Sequence, residues 1–198
     1  MPLLTHSTVV ITAPAKEPVN LAQAKRQCNV ANEIVAFDRF FEGDSVAEGA
    51  ITAARELVEH DTRRSLIDQT LEDTHEDWPG EDYIRLHRTP ADSIVSLKYL
   101  DTGGVQTTWA ASNYELDTGR GRIYPAYTVT WPAIRQRHNA IVVRYVAGYG
   151  TNETDVPQVA RQAMLLLIDE MFNKRSTVID PGEGYYSLVN RLRDGTYP

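Results

Sequence analysis

Two Asp-Thr-Gly triplets, Asp101-Thr102-Gly103 and Asp117-Thr118-Gly119, are the part of this sequence closest to a known catalytic pattern. In aspartic peptidases two such carboxylates share one proton because they are held about 3 Å apart. Here the triplets lie 16 positions apart in a single meander-like stretch, and Asp and Gly suit hairpin turns. Both are therefore read as turns, and no catalytic residue is assigned. His60, His75, His87 and His138 show no H-x-x-x-H or C-x-x-C spacing, so no metal site is assigned either. The one cysteine, Cys28, would be a nucleophile only with a His brought to it by the fold; as a small apolar residue on a helix face it needs no such partner. Gly148-Tyr149-Gly150 lacks the third glycine of a dinucleotide fingerprint. No cofactor is implied.

These residues sit in two kinds of periodicity. Thr8–Ala13 is rich in β-formers, and Pro14 and Pro18 then break any regular structure. Asn20 with Gln23 three residues later is a capping-box pattern that opens a short helix with Leu21, Ala24 and Cys28 on one face. Helical spacing continues at Ile34, Phe37, Phe40 and Phe41, breaks at Gly43, and resumes at Val46, Ala50, Ala53, Ala54, Leu57 and Val58. After Leu66 the period changes. Strands are predicted at Tyr83–Leu86, Ile94–Leu100, Val105–Trp109, Tyr114–Leu116, Arg122–Tyr124, Tyr127–Thr130 and Ala140–Val146, with Asp101–Gly104 as a hairpin turn. Pro157 suits the first turn of a further helix reaching about Lys174, with Ala160, Ala163, Met164, Leu167 and Met171 as its stripe. Its run Ala163–Ile168 is either wholly internal or partly covered by another subunit. Past Asp180-Pro181-Gly182, residues Tyr185, Leu188, Val189 and Leu192 describe a short amphipathic helix that is marginal alone. The expected fold class is α+β. Residues 1–67 supply a strand and core helices, 68–150 an antiparallel β insertion, 151–178 a core helix, and 179–198 a C-terminal tail.

Composition narrows the function classes. The 198 residues carry a net charge of −7, spread as −2 over 1–67, −3 over 68–150 and −2 over 151–198, so there is no basic arm to neutralise phosphates. The longest apolar run falls far short of the ~20 residues of a membrane helix. Nothing at the start resembles a secretory signal, and a lone cysteine does not point to an oxidising compartment. The expectation is an intracellular, soluble, non-enzymatic protein.

Taken in order, several segments resemble the head–tail connector (adaptor) proteins of long-tailed bacteriophages and gene transfer agents. The resemblance opens at Ala15-Lys16-Glu17-Pro18-Val19-Asn20-Leu21-Ala22-Gln23-Ala24-Lys25 and continues through Ala53–Glu59 and Arg64–Ile67. Tyr114–Asp117, Gly121–Pro125 and Trp131-Pro132 are similar to the family's β region, and Val143–Gly150 leading to Val156-Pro157 is the most specific stretch. The matched positions that carry the motif are Pro18, Leu21, Lys25, Arg55, Trp131, Pro132, Gly148, Tyr149 and Pro157. The bulky Asn32–Asp44 segment and Cys28 depart from the pattern.

The resemblance implies a virion structural protein of the neck, made in the host cytoplasm. It implies a ring, a dodecamer, beneath the portal, extending the channel for double-stranded DNA and receiving a tail-side neck or stopper protein. Twelve chains at −7 carry roughly −84, a lumen that repels phosphates within about a Debye length. The tail is the expected portal-docking element, through Tyr185, Tyr186, Leu188, Val189, Arg191, Leu192 and Arg193; the alternative is that it folds back on its own core. A stopper or tail-completion protein is the nearest alternative role, and an unrecognised hydrolase a more distant one.

Overall fold

The computed structural model describes residues 7–28, 44–79, 82–174 and 181–193. The expected helical spacing at Ile34, Phe37, Phe40 and Phe41, the break at Gly43, and Asp180 lie outside these residues. Within them the fold is α+β, and the chain divides into two compact units. One comprises 1–14 and 68–148, the other 15–67 and 149–198.

The first unit is all β. Strands β1 (Ser7–Thr12), β2 (Gln69–His75), β4 (Ala91–Leu100), β5 (Gln106–Trp109) and β8 (Ile141–Ala147) form an antiparallel sheet in the order β1-β2-β8-β4-β5. Strands β3 (Ile84–Arg85), β6 (Tyr114–Asp117) and β7 (Arg122–Pro125) form a second sheet in the order β3-β7-β6. β8 shows the alternation of a half-buried strand, with Ile141, Val143, Tyr145 and Ala147 inward. These join Leu71, Ile84, Leu97 and Ile123 in one core, so the two sheets share an interior. All three tryptophans gather at its side: Trp78 stacks on Trp131 with centroids 4.6 Å apart, and Trp109 lies 5.1 Å from Trp131.

Three sequence expectations change here. β1, expected with the helical segment 1–67, pairs with β2 and belongs to the sheet. β2 itself lies outside the expected strands, because two of its three buried residues, Gln69 and Asp73, are polar. Tyr127–Thr130 is not a strand. The Val129 amide closes a turn on the Ala126 carbonyl at 2.9 Å, Thr128 takes a φ of 67°, and Tyr127 is almost fully exposed.

The second unit is helical: α1 (Leu21–Gln27), α2 (Asp44–Thr62), α3 (Gln158–Lys174) and α4 (Gly182–Arg193). The predicted capping box is present, with the Gln23 amide donating to Asn20 Oδ1 at 3.0 Å and the Asn20 amide to Gln23 Oε1 at 3.1 Å. α3 is central. From Arg161 to Phe172 no residue is fully exposed, and the helix packs on α1, α2 and α4. Pro157 stands one residue before this helix rather than in its first turn; its carbonyl accepts from the Ala160 and Arg161 amides at 2.9 and 3.2 Å.

Candidate functional site

The two Asp-Thr-Gly carboxylates and the cysteine are bound into the fold, while His60 and His138 stand exposed at its surface. Asp101 Oδ1 accepts from the Val105 amide at 2.9 Å, and Asp117 Oδ1 from the Arg120 amide at 3.1 Å, so both Asp-Thr-Gly triplets are turns in which the carboxylate caps the backbone. Asp101 follows β4 in one sheet and Asp117 ends β6 in the other. Cys28 is buried, and desolvation with the nearby Asp169 charge pushes its thiol up to about 11, the opposite of what a nucleophile requires. Among the described residues no group of three or more His, Cys, Asp or Glu could hold a metal ion.

The most enclosed charged group among the described residues, Asp73, carries no motif that would single it out in the sequence. It is about 1% exposed and accepts from Thr8 Oγ1 at 2.6 Å, the His87 amide at 2.8 Å and the Tyr145 hydroxyl at 3.1 Å. Three donors satisfy the carboxylate, and the Tyr145 oxygen also accepts from the Arg88 amide at 3.2 Å. Burial first, and then the Asp73 charge, raise the Tyr145 pKa, so the phenol keeps its proton. This is a tie between strands rather than an acid–base pair.

A second buried network holds the helical unit. Arg55, on the inward face of α2, bonds Glu17 Oε2 at 2.9 Å and Glu59 Oε2 at 3.0 Å. Glu59 Oε1 accepts from the Leu66 amide at 2.8 Å, and Thr52 Oγ1 donates to Glu17 Oε1 at 2.9 Å. The carboxylates are thus satisfied from several directions, which is what a buried ion pair requires.

The other motif residues are structural in the same sense. Pro18 is buried, and its carbonyl accepts from Arg161 Nε at 3.1 Å. Leu21 packs on the helical core, and Lys25 lies in the last turn of α1. Trp131 belongs to the tryptophan cluster, and the Pro132 carbonyl accepts from Trp78 Nε1 at 2.7 Å. A Cβ on Gly148 would lie 2.4 Å from the Asp68 nitrogen, so only glycine fits beside that backbone. The Tyr149 hydroxyl takes a 2.6 Å bond from Arg64 Nη1.

The tail corrects an expectation. Tyr185, Val189 and Leu192 are buried in the helical core and Leu188 packs against it, while the Tyr185 hydroxyl donates to Asp61 Oδ2 at 2.8 Å. The 12-residue helix is stabilised by its own chain, because a 3–4 spaced apolar stripe gains most by packing on a neighbouring helix. Of the seven expected docking residues, Tyr186, Arg191 and Arg193 remain exposed.

No family model matches the sequence, and no curated protein matches it. Solved structures do match. A chain from the neck of an empty GTA particle computed with C6 symmetry superposes with a TM-score of 0.75 at 19% identity, over 94% of this chain and 95% of that one. A chain from the virion of a native gene transfer agent (GTA) particle gives 0.74 at 19%, over 94% of both chains. One from the neck of a native GTA particle computed with C12 symmetry gives 0.69 at 22%, again over 94% of both. The likeness covers both units and establishes a shared fold.

Proposed function

We propose that the protein is a structural component of a virion neck, an adaptor that assembles as a ring beneath the portal. The observation that carries this is the fold shared over 94% of the chain with chains of GTA particles, two of them from necks computed with C6 or C12 symmetry. Chemistry supports the same reading: the candidate carboxylates, thiol and phenol are each committed to turns, burial or strand ties. In such a ring the net charge of −7 per copy disfavours adhesion to double-stranded DNA, which passes without specific binding. Contact with the portal falls to the exposed face of α4, where Tyr186 offers a large ring and Arg191 and Arg193 can bond carboxylates in bidentate fashion.

Co-purification with separately produced partners tests this reading. An adaptor retains the portal protein, and Tyr186→Ala with Arg191→Glu and Arg193→Glu abolishes that retention while the chain stays folded. Retention of tail-tube protein without portal protein would instead make it a stopper or tail-completion protein.

A further inference from the structure

The five-stranded sheet ends in two strands, β1 and β5, each with one side unpaired among the described residues. Natural sheets protect such edges with charges, proline or bulges, since an open edge recruits another strand. β1 reads Ser-Thr-Val-Val-Ile-Thr and β5 reads Gln-Thr-Thr-Trp, with no charge and no proline in either. The one protective device is a bulge at Ile11, which leaves Ser7–Val10 in regular register with β2. β1 also exposes three consecutive large apolar residues, Val9 at 53%, Val10 at 52% and Ile11 at 44%, and Val105 beside β5 is 62% exposed. Three bulky side chains in water on one strand is the signature of a covered surface rather than a solvated one.

We infer that a second copy of this chain covers β1, by laying its β5 edge alongside. The inference rests on the ring reading above and names the contact. Each neighbouring pair from β1 through β2, β8 and β4 to β5 is antiparallel, so β1 and β5 run in the same direction. A copy rotated by a small angle about a ring axis therefore brings β5 beside β1 in parallel pairing. Every copy uses one edge of each kind, and the contact repeats head to tail until it closes. Pairing of β1 with β1 would be isologous, would stop at two chains, and would leave both β5 edges open.

Two edge-charged variants of the full chain test this by sedimentation velocity. Val9→Lys with Val10→Lys charges β1, and Gln106→Lys, opposite Leu100, charges β5 with the same sign, so a charged β1 and a charged β5 repel each other. Each alone should weaken self-association by at least about tenfold, because edge charges oppose strand addition. Mixed together, the two should recover one intact contact and form dimers. In a Cys28→Ala background, Val10→Cys mixed with Thr108→Cys should cross-link through a short bismaleimide, while neither should cross-link to itself; this readout does not depend on the charged variants folding.

Self-cross-linking of Val10→Cys would replace the head-to-tail contact with an isologous one. Rings that survive both charged variants would overturn the edge contact and leave the ring reading standing. A wild-type chain that self-associates neither alone nor on the portal protein would overturn both.

Discussion

Arg55 and Gly148 act at the same scale in opposite ways, one by what it bonds and the other by what it lacks. Arg55 is held between Glu17 and Glu59, and truncation to Ala removes the guanidinium that bonds both carboxylates. Breaking a buried pair from one side costs about 3–5 kcal/mol, so Arg55→Ala should lose that much in urea denaturation. Gly148→Ala places a methyl 2.4 Å from the Asp68 nitrogen and should cost about 1–3 kcal/mol, as overpacking does. Asp101→Asn keeps the oxygen that accepts from Val105 and should change stability by at most about 0.5 kcal/mol. A measured loss of several kcal/mol there would show that its charge matters beyond the turn. Both Asp-Thr-Gly turns are legible from residue type alone because a turn is local. The Asp73 tie is not, since its donors Thr8 and Tyr145 lie 65 and 72 positions away.

Among elements, those with apolar periodicity are readable and those built on polar interiors are not. The capping box of α1, the stripe of α3 and the alternation of β8 follow from spacing. α2 buries Ile51, Ala54, Val58 and Thr62 at helical intervals, yet Arg55 and Glu59 stand in the same stripe, so its apolar pattern is incomplete. α2 is legible all the same from Ala50, Ala54 and Val58, whereas β2 hides because two of its three buried residues are polar, and Tyr127–Thr130 misleads because β-forming residues there meet a tight turn. For α4 the spacing correctly indicates an apolar face, but not whether this chain or another covers it. Its burial here makes a sharp prediction. Leu192→Ala should cost about 2–5 kcal/mol, since it removes a fully buried side chain from the helical core. Tyr186→Ala should cost less than about 1 kcal/mol in the same denaturation experiment, because that side chain is half exposed. Deletion of 180–198 should likewise destabilise the helical unit, so substitutions on the exposed face are the sound way to separate docking from folding.

For the whole molecule, alkaline pH should be the vulnerable direction. Tyr145 in the sheet unit and Tyr185 in the helical unit both have raised pKa values, chiefly from burial, and Cys28 is raised from 9.0 to about 11. A raised native pKa means that the folded chain keeps a proton which the unfolded chain releases. The contribution is therefore complete below the unfolded values of 9.0 for the thiol and 10.0 for the phenols, and is lost as pH rises above them. Melting temperature should hold level to about pH 9 and then fall steeply, with a shallower fall in Tyr185→Phe. A melting temperature independent of pH up to about 11 would contradict this.

The strand order β1-β2-β8-β4-β5 has a further consequence for how the chain is made. β8 is the last strand of its sheet to leave the ribosome, yet it lies between β2 and β4. Until Ala147 has emerged, the sheet exists only as two unjoined strand pairs, β1 with β2 and β4 with β5, and the helical unit still awaits α3 and α4. Synthesis at about 5–20 residues per second makes that interval seconds long, during which the apolar strands lack their central partner. Nascent chains arrested before residue 141 should therefore be digested readily by protease, whereas chains released at full length should resist it. The protein is thus a late folder by topology, and a cellular chaperone has a defined window in which to hold it.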